Sequence, residues 1–125
     1  MSFSIKAMPA HAIIVATLHH DFDPARDTAA YVRDLRTRLD HMPRPAAFIT
    51  VIDEVEIGLP DVEDLLGSLI RGKMAVLGHP NLKLMIVVTT NEAIAFGAKS
   101  SGQSVVGELP VMVTRTLADA VAQAT

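Results

Sequence analysis

The chain has no cysteine and no tryptophan, and only one tyrosine and four phenylalanines in 125 residues. Without cysteine there are no disulfides, no thiolate nucleophile and no cysteine-ligated zinc, which fits a reducing, cytoplasmic compartment. Few rings mean few stacking platforms for nucleic-acid bases. Positive charge is not in excess either: the formal net charge is -3, which argues against a phosphate-tracking surface and so against nucleic acid as a partner. No stretch approaches the roughly 20 apolar residues of a membrane-spanning helix. Residues 12–18 (AIIVATL) imitate the core of a signal peptide. They are too short for one, and His19-His20-Asp21 follows where small residues should precede a cleavage site.

What is present is aliphatic. Half of the residues are apolar, and with so few rings the core must be built from Ile, Val, Leu, Ala and Met. The length fits one domain, large enough for a core without covalent staples. Residues 2–7 alternate, with Phe3, Ile5 and Ala7 on one side and Ser2, Ser4 and Lys6 on the other, which predicts a half-exposed strand. Met8-Pro9-Ala10-His11 is a turn. Residues 12–18 are a near-continuous apolar run, as in a strand covered on both faces. So short a connection predicts an antiparallel hairpin.

Asp23-Pro24 opens a helix over 25–41, with Asp at the N-cap and Pro in the first turn. Thr28, Val32, Leu35, Leu39 and Met42 form its apolar stripe, and Met42-Pro43-Arg44-Pro45 ends it. Its arginines (Arg26, Arg33, Arg36, Arg38) interleave with Asp27, Asp34 and Asp40, so the outer face is solvated and tied by pairs such as Asp34–Arg38. Residues 46–52 are a second continuous strand ending at Asp53. A helix follows over 61–77, opened by Pro60-Asp61 and stopped by Gly78-His79-Pro80. Residues 82–89 are a third buried strand, and Asn91 caps a small-residue helix (EAIAFGAK). Residues 109–114 are a last strand, placed at an edge by Pro110, which cannot donate to a ladder. Thr116 and Asp119 have the spacing of a capping box and begin a terminal helix. The order ββαβαβαβα predicts an α/β fold, with a mostly parallel central sheet, an N-terminal hairpin strand and right-handed crossovers.

Three of these segments carry a resemblance: FITVID at 48–53, the HPNL turn at 79–82 with the apolar strand after it, and TLADAVA at 116–122. They resemble the STAS domains of anti-sigma factor antagonists, the SpoIIAA type, and more narrowly a bacterial group of SpoIIAA-like domains. The resemblance spans the whole chain and implies a regulatory module that binds another protein. It also implies an acidic residue at the end of the second buried strand, matched by Asp53, and an Asp-Ser-Ser-Gly at the next helix start. Asp61 matches the Asp, but Val62, Glu63 and Asp64 stand where the serines and glycine would be. A phosphorylation switch of that kind therefore has no hydroxyl to work on. Glu63 supplies a fixed negative charge there, although acidic residues are ordinary in a first helical turn.

No catalytic constellation stands out. There is no G-x-S-x-G elbow, and the serines at 100, 101 and 104 cluster in a soft segment. His79 sits in a turn before Pro80. His11 and His41 fall at turn and helix-end positions and read as exposed structural residues. Gly97-x-x-x-x-Gly102-Gln103-Ser104 lacks the lysine of a phosphate-binding loop and follows a helix rather than a strand, so no nucleotide cofactor is expected. His19, Asp21 and Asp53 form an imaginable metal set, but no ligand spacing supports it and no metal is expected.

Open α/β sheets bind ligands beyond the carboxyl ends of their strands. Those ends offer Asp53, Glu54, Thr89, Thr90 and Asn91, and with Asp61 and Glu63 they make the candidate binding surface. If strand order follows sequence order, right-handed crossovers put all the intervening helices on one face. The other face then needs a helix from elsewhere or a second subunit, which predicts a homodimer or a docked partner protein. The first functional expectation is thus a non-enzymatic STAS-like interaction module. The second is a small-molecule or lipid-binding domain, by similarity to part of the SEC14-type lipid-binding fold, and its mark would be a cavity of roughly 300 Å³ or more beside the sheet.

Overall fold

A computed structural model describes residues 3–52, 81–92, 95 and 111–124. Five strands, β1 (Phe3–Met8), β2 (Ile13–Leu18), β3 (Ala46–Val51), β4 (Leu82–Val88) and β5 (Val111–Thr114), form one sheet in sequential order. β1 runs antiparallel to β2, and each later neighbour is parallel. The fold is α/β with a mixed sheet, as the alternation of apolar segments and helix signals predicts. Where both lie in the described residues, expected and observed strand bounds differ by at most one residue. One difference has a local cause: Ala12 adopts a left-handed backbone (φ 53°, ψ 51°), closing the single 3₁₀ turn Pro9–His11, so β2 begins at Ile13.

Helix α1 (Pro24–Asp40) lies on the first face of the sheet. Its expected stripe is buried at Val32, Leu35 and Leu39, with Met42 just beyond it, while Thr28 is half-buried. They pack with Phe3, Ile5, Ile14, Leu18, Phe48 and Met85. Burying these side chains contributes roughly 1.5–3 kcal/mol each. The described rings gather here: Phe3, Phe22 and Tyr31 meet edge to face at 5.5–6.3 Å, and Phe48 lies against Tyr31. The Tyr31 hydroxyl is hydrogen-bonded to Thr50 Oγ1 at 3.1 Å, which satisfies two buried polar groups at once.

Helix α2 (Leu117–Ala124) follows the last strand and lies on the opposite face. It presents Ala120 and Ala124 to Ile13, Ala47, Ile49, Ile86 and Val88. Small side chains let its backbone lie close to β3, β4 and β5. Among the described residues, the helix on that face is the one that follows β5. Its start is capped as expected: the Asp119 N–H donates to Thr116 Oγ1 at 3.1 Å. Around α2 a rim of Met8, Val15, Val51, Leu84, Met112 and Val121 is only partly buried. The helix expected over 61–77 lies outside the described residues. Of the helix expected after Asn91, only Glu92 and Ala95 are described, the Ala95 N–H donating to the Asn91 carbonyl at 3.0 Å.

The charged face of α1 is partly to fully exposed, and the expected pair between Asp34 and Arg38 is present. Asp34 and Arg38 meet at 3.4 Å. The Arg26 guanidinium donates twice to the Asp27 carboxylate at 2.8 Å and once to the Asp21 carbonyl at 3.0 Å. The hydrogen bond to Asp27, then its charge, hold Arg26 still more firmly protonated than an ordinary arginine. Asp27 also accepts the Asp23 N–H at 2.9 Å, tying the chain before the helix to its first turn. No described helix is long and apolar enough to cross a membrane.

Candidate functional site

Because β2 to β5 are parallel, their carboxyl ends emerge on one side of the sheet. His19, His20 and Asp21 follow β2, Thr89 to Glu92 follow β4, and Arg115 and Thr116 follow β5. β4 and β5 are neighbours, so the last two groups come together. The Thr89 N–H donates to the Thr114 carbonyl at 3.0 Å, continuing the ladder one step past β4. Beyond that bond a cleft of about 330 Å³ opens, lined by Thr89, Thr90, Asn91, Glu92, Ala95, Val113, Thr114 and Arg115. This volume is at the lower end of small-molecule sites, which begin at roughly 300 Å³.

The floor of the cleft is buried and its rim exposed. Thr89 is 2% exposed. Ala95, Val113 and Thr114 are half-buried, and Thr90, Asn91, Glu92 and Arg115 are exposed. Thr89 Oγ1 accepts the Asn91 N–H at 3.1 Å. That bond uses a lone pair, so the Thr89 hydroxyl proton is left to donate. Thr114 has the converse arrangement: its hydroxyl donates to the Thr116 carbonyl at 3.1 Å, leaving lone pairs that can accept. Two charges of opposite sign stand on the rim, Glu92 and Arg115, and neither forms an ion pair with a described residue. The arrangement can hold a small polar molecule. It places no nucleophile beside a base among the described residues.

The structure thus brings together three of the expected surface residues, Thr89, Thr90 and Asn91. Asp53, Glu54, Asp61 and Glu63 lie outside the described residues. Among the described residues no three His, Asp or Glu side chains converge as metal ligands, and Asp53 of the imagined set lies outside them. His19, His20 and Asp21 are two strand positions from the cleft, about 10 Å at the usual strand spacing. His11 and His41 are exposed, and the His41 ring donates through Nδ1 to the Thr37 carbonyl at 2.8 Å at the end of α1.

Reasoning from sequence missed Glu92, Thr114 and Arg115. Their signal was available: each borders an expected strand end, and the rule that ligands sit beyond such ends applies to β5 as to β4. What was missing was the adjacency of the two strands. Comparison with family models, with curated proteins and with solved structures finds no match to this chain.

Proposed function

We propose that the chain is a non-enzymatic binding domain whose site is the cleft beyond β4 and β5, and that its ligand is a small polar molecule. The observation that carries this reading is a cleft of about 330 Å³ whose buried floor holds the Thr89 hydroxyl and whose rim carries charges of both signs. Such a lining of hydroxyls and charges suits a polar molecule rather than an acyl chain, so of the small-molecule and lipid alternatives the former is supported. The test is a backbone-amide NMR screen of the labelled protein against pools of polar metabolites. The expected result is a set of shifts confined to Thr89–Glu92 and Val113–Thr116. Shifts clustered elsewhere, or none from any pool at millimolar concentration, would overturn the reading.

A second reading, the STAS-like regulatory module acting through a protein partner or a second copy, draws support from the opposite side of the sheet. There the eight-residue α2 is bordered by the half-buried Met8, Val15, Val51, Leu84 and Met112. An apolar rim of this kind suits a protein contact. Light scattering on the eluted protein distinguishes the versions: a dimer mass supports self-association, and a monomer mass counts against it.

A further inference from the structure

Resting on the cleft as the binding site, we infer that its ligand is a small zwitterion of the amino-acid class, carrying one carboxylate and one ammonium group. Charge and hydrogen-bond matching point to it. Glu92 and Arg115 line the same small cleft, are both exposed and make no ion pair with each other or with any other described residue. A ligand that is only an anion gains Arg115 but is repelled by Glu92, within a chain whose net charge is already -3. A ligand that is only a cation gains Glu92 and is repelled by Arg115. A molecule with both charges satisfies both, and each contact is a charge-assisted hydrogen bond of the stronger kind.

The neutral groups repeat the pattern. The Thr89 hydroxyl is committed as an acceptor to Asn91 and has a proton to give, which suits a carboxylate. The Thr114 hydroxyl is committed as a donor to Thr116 and has lone pairs to offer, which suits an ammonium. Among its described residues the cleft therefore offers a charged and a neutral group suited to each pole of an α-amino acid. Its described apolar elements, Ala95 and Val113, suit a small side chain.

The test is calorimetric titration of the full chain with the twenty common L-amino acids, each in parallel with its N-acetyl derivative, which lacks the ammonium, and its amide, which lacks the carboxylate. Inorganic phosphate serves as the purely anionic probe, and amide shifts locate any binding. The expected result is that at least one free amino acid binds in the cleft, that blocking either pole weakens it by about tenfold or more, and that R115Q and E92Q each weaken it to a similar degree. Rescue is specific: R115K retains part of the affinity lost in R115Q. An N-acetyl derivative or phosphate that binds as well as the free amino acid, with E92Q silent, overturns the zwitterion and leaves the cleft as an anion site. Cleft shifts from other polar metabolites but from no amino acid overturn it likewise. No shift from any probe removes the cleft itself.

Discussion

The two ends of the sheet are built from similar polar residues and use them differently. At the amino end, where β3 and β4 begin, the polar groups bind one another across long stretches of chain. Asn81 Nδ2 donates to the Leu39 carbonyl at 2.9 Å and, more weakly, to the Met42 carbonyl at 3.5 Å, closing the last turn of α1. The Asn81 carbonyl accepts the Ala46 N–H at 2.7 Å, and the Ala12 carbonyl accepts the Ala47 N–H at 2.9 Å. Arg44 donates to the Ala10 carbonyl at 3.0 Å. At the carboxyl end the backbone also joins distant segments, the Ile52 N–H to the Val88 carbonyl and the Thr89 N–H to the Thr114 carbonyl, both at 3.0 Å, but three side-chain bonds there are local: Thr89 to Asn91, Thr114 to Thr116, Thr116 to Asp119. They shape loops without tying distant segments, and Glu92 and Arg115 stay on the rim of an opening. One end is fastened by side chains as well as by backbone, and the other has side-chain polar capacity left over. That residual capacity is what distinguishes a binding edge from a structural one, since polar groups serving stability are already paired.

This contrast ranks the expected effects of substitution. The largest is at the fastened end. Asn81→Ala removes the donor to the Leu39 carbonyl in the last turn of α1 and to the Met42 carbonyl just beyond it, so we expect a loss of about 1–3 kcal/mol by urea denaturation, with ligand binding at the cleft unchanged. A variant that unfolds no more easily than the parent would show that the amino end is not fastened through Asn81.

Next is the polar pair between the ends, in the middle of the first face. Tyr31→Phe leaves Thr50 without its partner and should cost about 1–2 kcal/mol. It also has a sign in pH. Burial pushes the Tyr31 hydroxyl well above the ordinary tyrosine range, only partly offset by its hydrogen bond to Thr50. The unfolded chain loses that proton near the ordinary value of about 10 while the folded chain keeps it. Below that pH both states bind the proton and the stability is complete. Above it the unfolded state binds fewer protons, and stability falls as pH rises. The parent should therefore lose stability faster than Tyr31→Phe above about pH 10. Because the chain has one tyrosine and no tryptophan, tyrosinate absorbance reads this group alone. Titration of the folded protein at an ordinary tyrosine midpoint would refute the effect.

Smaller again is Thr116→Ala, about 1 kcal/mol, because it removes the hydroxyl that caps α2. An eight-residue helix is marginal without its packing. The loss should therefore appear first as faster hydrogen exchange at Ala120 and Val121, ahead of any global unfolding. Equal acceleration throughout β3 would mean that α2 and the sheet open together.

How far the sequence could be read divides along the same lines. The strands, α1 and its stripe, the hairpin, the edge position of β5 and the Thr116 cap were all legible, because each depends on local periodicity or on a residue within three or four positions. The Asn81 tie was not, since its partners lie 39 and 42 residues away. The cleft was half legible. Thr89, Thr90 and Asn91 mark the end of one strand, but Arg115 belongs to another, and only the pairing of β4 with β5 brings them together. The assignment of faces followed the same pattern: the continuous apolar runs imply that both faces are covered, and only the structure shows α1 on one and α2 on the other.

The smallest expected effect on stability is the most telling for function. Arg115 is exposed, lines the cleft and forms no ion pair with a described residue. Removing its charge breaks no structural contact among them, and an exposed position of this kind usually changes stability by less than about 0.5 kcal/mol in either direction. Glu92 is placed in the same way, so E92Q and R115Q should both melt with the parent, and the double variant should melt with the singles because the two charges are not paired. If R115Q instead lost stability comparable to Asn81→Ala, Arg115 would be a fastening residue, and the carboxyl end would have no polar capacity left for a ligand. A neutral result for folding with a large one for binding is the combination that a structural role cannot produce.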